Sequence, residues 1–102
     1  MNVLNRSSLA ELVPVGGEAA QELTVASDPI AFATFPATCT KVWVSVATNS
    51  VSVTLDGVTA PDTAVGIALP ANYAEVWSKT MAEAASFHQR GGAAVVFGQP
   101  LA

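Results

Sequence analysis

The sequence predicts an all-β fold: a small antiparallel β-sandwich or compact barrel of about seven strands, preceded by an extended N-terminal arm. Three observations lead there. Lys41–Val46 and Val51–Leu55 alternate strictly between apolar and polar residues, the period of a strand with one buried face. Short β-branched runs recur along the chain, separated by Gly, Pro, Asn and Asp turns, the pattern of a sandwich or barrel. The two helix-like stretches are each cut short, one by Pro14 and Gly16-Gly17, the other by Gly91-Gly92. With 102 residues, the chain makes one domain that hides roughly two thirds of its unfolded surface.

Residues 1–20 read as the arm. Ser8 and Glu11 have capping-box spacing around a single helical turn, with Leu9, Leu12 and Val13 on one side. A helix that short is not stable alone. Val3, Leu4, Leu9, Leu12 and Val13 are too apolar for a solvated tail, so they are expected to order against a neighbouring subunit; the bland alternative is a frayed terminus.

Residues 21–98 are expected to form the β domain, with 99–102 as a C-terminal tail. Gln21–Val25 is a first strand, and Ile30 and Phe32 a second short run between Pro29 and Pro36, since proline confines strands to edges and ends. Lys41–Val46 and Val51–Leu55, joined by Ala47-Thr48-Asn49-Ser50, read as a hairpin, with Asn49 suited to a left-handed turn position. Asp56-Gly57 closes the second strand. After the Pro70-Ala71-Asn72 turn, Tyr73–Lys79 alternates loosely. Thr80–His88 has helical composition and a Thr80/Glu83 capping spacing, enough for about one turn anchored by Phe87. Ala93–Phe97 is the last strand. The inward set is then Leu23, Val25, Phe32, Val42, Val44, Val46, Val51, Val53, Leu55, Leu69, Val76, Phe87, Val95 and Phe97.

The balance of residues narrows the function. The chain is 51% hydrophobic but 12% charged, about half the usual charged fraction, which suggests a surface facing other protein. Only Arg6, Lys41, Lys79 and Arg90 are basic, and the net charge is -4. Nucleic acid and acidic membranes are therefore poor partners, because both reward basic patches. No apolar run has the length of a membrane span, and the first residues do not read as a signal peptide. Cys39 is the single cysteine, so no internal disulfide forms, in keeping with synthesis in a cytoplasm.

No catalytic or metal constellation is legible, and no cofactor is expected. His88 is the single histidine and has no assignable partner for nucleophilic or acid–base work. Cys39 reads as a small buried hydrophobe, lacking the basic setting of a reactive thiol. Asp28, Asp56 and Asp62 lack the ordered spacing of a calcium loop, so Asp56 reads as a turn former. The glycine pairs are too short for a phosphate loop. What remains is aromatic: with the valines inward, Trp43, Trp77 and Tyr73 face outward. A protein interface is the preferred reading, the core if the faces are reversed comes next, and a sugar-stacking platform is third.

Asp56-Gly57, Thr59, Pro61, Thr63, Gly66 and Leu69 stand in an order that resembles a loop of small β-sandwich virion structural proteins of tailed phages, a capsid decoration or cement-like family. The chain departs from the pattern by placing Asp62 between the proline and the threonine. The resemblance spans about residues 23–97. It implies a non-enzymatic decoration subunit that stabilises the head in the virion, associates as a homo-oligomer (a trimer is favoured), and contacts the major capsid protein or other virion subunits. A neck, tail or head-fibre component is the alternative within that class, and a glycan-binding module using Trp43 and Trp77 the alternative outside it.

Overall fold

A computed structural model describes residues 20–102. Seven strands form two antiparallel sheets. Strands β1 (Gln21–Val25), β2 (Lys41–Ala47), β5 (Ala74–Ser78) and β7 (Ala94–Leu101) make a four-stranded sheet in the order β1-β7-β2-β5. Strands β3 (Val51–Thr54), β4 (Ile67–Leu69) and β6 (Ser86–Gln89) make a three-stranded sheet in the order β4-β3-β6. The expected all-β class and strand number are thus present among the described residues, with one short helix there, α1 (Lys79–Ala84), between β5 and β6.

The expected hairpin is not formed. β2 pairs with β5 and β7, whereas β3 pairs with β4 and β6, so the segment between β2 and β3 crosses from one sheet to the other. Alternation establishes that each run is a strand with one buried face, and Val44 and Val53 are both buried; it carries no information about the pairing partner. In the connection, Thr48 rather than Asn49 takes the left-handed conformation (φ 80°). The Asn49 side chain instead donates to the Ala93 carbonyl at 2.9 Å, tying the crossing to the start of β7.

A row of aromatic rings fills the space between the sheets. Phe87 from β6 is fully buried, stacks on Trp77 from β5 (centroids 6.2 Å apart, planes at 11°) and meets Phe32 edge-on at 5.5 Å. Phe35 extends the row, 5.3 Å from Phe32. Ring pairs at such separations add about 0.5–1.5 kcal/mol beyond the area they bury. Phe32 and Phe35 do not lie in a strand; the segment's backbone joins the three-stranded sheet through the isolated Ile30–Phe87 bridge, in keeping with the prolines that flank it. The Glu83 carboxylate of α1 accepts from the Phe35 N–H at 2.9 Å and holds this segment down.

Three inward assignments are reversed. On β7 Ala94, Val96 and Gly98 are buried, as are Pro100 and Leu101, and Val95 and Phe97 point to the other side. The reason is steric: the Phe32 ring lies over Gly98, where a Cβ would sit 2.8 Å from ring carbons, so this face of β7 must be the small one. On β5 Trp77 is buried and Val76 turned out, because Trp77 supplies the ring that stacks on Phe87. Leu55 is half-buried against the core.

β7 also continues through Pro100 to Leu101, which pairs with Lys41 and is buried. Residues 99–101 are therefore part of the sheet, not a tail. Finally, Ser78 rather than Thr80 caps α1, its hydroxyl accepting from the Met81 N–H at 3.1 Å. Phe87 lies in β6, beyond the helix.

Candidate interaction surfaces

Cys39 is buried and its thiol donates to the Lys41 carbonyl at 3.1 Å. His88 is half-buried on the outward side of β6, and its Nδ1 lies 2.6 Å from the Gln89 carbonyl. Among the described residues no three His, Cys, Asp or Glu side chains gather as a metal site.

The loop from Asp56 to Gly66 is held by two aspartates. The Asp56 carboxylate accepts from the Val58 and Thr59 N–H groups at 2.9 and 2.8 Å and from the Thr59 hydroxyl. These bonds favour the ionised form, and the Thr59 hydroxyl contributes most to lowering the Asp56 pKa to about 2. Thr54 donates its hydroxyl to the Thr59 carbonyl at 2.6 Å, binding the loop to β3. Asp62, the residue that interrupts the phage-like pattern, makes a second turn by accepting from the Ala64 and Val65 N–H groups at 2.7 and 2.9 Å. Pro61 is fully buried. Gly66 (φ 124°) passes over β3 so closely that a Cβ would lie 2.9 Å from the Val53 carbonyl oxygen. Asp56, Thr59, Pro61 and Gly66, which carry the resemblance, thus shape this loop.

That loop presents apolar side chains to solvent. Val58 is 88% exposed, Ile67 57% and Val65 40%, the three exposed large hydrophobic residues among those described. Ile67 begins β4, which among the described residues pairs only with β3 and is an edge of its sheet. The edge strand Ile67-Ala68-Leu69 carries no charge, although charged side chains commonly protect such edges. Sequence reading missed this surface because isolated valines in a turn-rich segment have no periodicity. The available signal was a valine two or three residues after each turn-forming aspartate.

The three aromatic candidates separate. Trp77 is only 4% exposed, so it belongs to the core and not to an interface. Its indole N–H donates to the Tyr73 hydroxyl at 2.9 Å. Tyr73 is half-buried against the core, and its pKa is raised, chiefly by burial and further by the charge of Glu75. Only Trp43 turns to the outer side of the four-stranded sheet. Register places it between Val76 of β5 and Gln99 of β7, with Val95 and Phe97 further along β7 on the same side. Trp43, Val76, Val95 and Phe97 are half-buried. With Trp77 inside, the two tryptophans cannot form a shared sugar-stacking platform. The arm residues Val3, Leu4, Leu9, Leu12 and Val13 lie outside the described residues.

No family model matches this chain, and no curated protein or solved structure matches it either.

Proposed function

We propose that this chain is a non-enzymatic structural protein of a tailed-phage particle, a decoration subunit that stabilises the head by binding the major capsid protein. The observation that carries the reading is the exposure of Val58 and Val65, on a loop held by Asp56 and Asp62, and of Ile67, at the start of an uncharged strand that is an edge of its sheet among the described residues. A subunit that docks on a protein lattice needs apolar side chains presented on a fixed backbone, so that little ordering is required on binding. The low charge of the chain and the resemblance of the same loop to phage decoration proteins support the reading. In it, copies of the chain associate as a homo-oligomer, with a trimer favoured by the resemblance, and neither nucleic acid nor membrane is a partner.

The test is the composition of purified particles. The chain should be present at a fixed ratio to the major capsid protein, and particles lacking it should lose DNA at lower temperature or on milder osmotic shock. Val58→Lys with Ile67→Lys should reduce occupancy without unfolding the domain, since both side chains are exposed. Absence from particles, or presence at only a few copies per particle, would refute a decoration role; the few-copy result would point to the neck, tail or a head fibre.

A further inference from the structure

A cavity of about 300 Å³ opens beside the loop that follows β3. Three stretches of chain, distant in sequence, line it: Pro29 and Ala31, residues 57–60, and residues 83–86, where α1 ends and β6 begins. The lining is mostly alanine, proline and valine, with one charged side chain, Glu83. That carboxylate is held in place: its Oε2 accepts from the Phe35 N–H at 2.9 Å, while its Oε1 has no partner among the described residues. No basic side chain lines the cavity, and none occurs in residues 28–31, 56–60 or 83–86, where Asp28 and Asp56 add to the negative charge.

We propose that this cavity receives one lysine side chain of a partner protein, its alkyl stem against Ala31, Val58 and Ala84 and its ammonium on the Glu83 carboxylate. Size is the first argument. The volume stands at the lower end of small-molecule sites, room for one side chain and not for a cofactor or a folded segment. Charge is the second. A fixed carboxylate bordered by apolar surface selects a cation carried on an apolar stem, which is what a lysine offers. Arginine fits less well, because its guanidinium fork pairs best with both oxygens of a carboxylate, and Oε2 of Glu83 is already engaged. An ammonium is a compact charge that needs only Oε1, and the Ser86 hydroxyl lines the same cavity as a second acceptor.

The cavity adjoins the docking loop, since Val58 and Thr59 belong to both. The inference rests on the reading of that loop as a docking surface, and it adds what the partner presents there: a lysine beside an apolar patch.

The test titrates the isotope-labelled full chain with Nα-acetyl-lysine N-methylamide and follows the amide resonances of Val58, Thr59, Ala84 and Ala85 by NMR. These should shift together and saturate. The norleucine analogue, which keeps the stem and lacks the ammonium, should bind about tenfold more weakly, the loss expected for one hydrogen bond to a charged group. The arginine analogue should also bind more weakly. Glu83→Gln should reduce lysine binding by the same factor and leave the norleucine response unchanged, because the glutamine carbonyl can still accept from the Phe35 N–H. Ala60→Leu, at an exposed position, should block both probes by filling the cavity. Lysine that binds no better than norleucine, or equally well to the Glu83→Gln chain, overturns the proposal, as does tighter binding of arginine. Shifts of the same amides on concentrating the chain without probe overturn it in favour of a second copy as the occupant. A chain that occupies particles yet ignores the lysine probe sinks this inference and keeps the decoration reading; a full lysine response in a chain absent from particles does the reverse.

Discussion

The Trp77 indole N–H donates to the Tyr73 hydroxyl at 2.9 Å across four residues of chain, so the last residue before β5 completes the hydrogen bonding of the ring that stacks on Phe87. This bond converts what sequence presents as two outward aromatics into one buried ring and its acceptor. Tyr73→Phe should leave the indole N–H without a partner at a cost of about 1–3 kcal/mol. Thermal unfolding should register the loss as a fall of several degrees; an unchanged midpoint would mean that water satisfies the indole.

Tyr73 is the single tyrosine, so its ionisation can be followed directly by absorbance. Burial, first, and the Glu75 charge raise its pKa above 10.0, while the indole hydrogen bond opposes the shift. A group whose folded pKa is raised contributes stability below its unfolded value and loses that contribution as pH rises through the folded value. The titration midpoint of the native chain should lie above 10, and stability should decline through that alkaline window. A midpoint at the value of a free tyrosine would show the hydroxyl to be solvated.

Asp56 gives the opposite sign at the acid end. Its pKa is lowered from 3.8 to about 2 by the Thr59 hydroxyl and the backbone N–H groups of Val58 and Thr59. The contribution of the turn is therefore complete above about pH 4 and is lost as pH falls toward 2. NMR titration of the carboxyl should find that midpoint, and Asp56→Asn should remove this part of the acid dependence. A midpoint near the ordinary value would mean that the loop hydrogen bonds do not persist in solution.

Gly98 and Phe32 form a steric pair. Gly98→Ala would bring a methyl group to 2.8 Å from the Phe32 ring, and overpacking of that order costs roughly 1–3 kcal/mol. Phe32→Leu in the same chain should recover part of the loss, because the smaller side chain vacates the space over β7. Urea denaturation of the two single variants and the double variant measures the coupling. Strict additivity would mean that the ring moves aside freely.

Val53 tests the core itself. It is 1% exposed, and Val53→Asp would bury a carboxylate with no partner, at a cost of several kcal/mol unless it stays protonated. Soluble, folded Val53→Asp protein with unchanged melting would contradict the packing of β3 between its neighbours.

Much of the architecture was present in the one-dimensional pattern. The β class, the burial of Val42, Val44, Val46, Val51 and Val53, and the turn at Asp56 all follow from alternation and local hydrogen bonding, which act over a few residues. Those forces are sensed by the sequence directly. Which strand pairs with which is a different matter. Lys41 and Val51 are close in sequence, yet their strands lie in different sheets, because each backbone finds partners from residues 14 to 60 positions away.

The facing of β5 and β7 also lay beyond local pattern. Val95 and Phe97 alternate as well as Ala94, Val96 and Gly98, and either set satisfies a strand; Val76 and Trp77 pose the same choice. The sequence by itself determined that each of these runs is a strand with two unlike faces. Tertiary packing alone decided which face is inside, because the Phe32 ring needs the gap at Gly98 and Phe87 needs the flat surface of Trp77, and both requirements come from distant segments that meet only once the sheets close on one another.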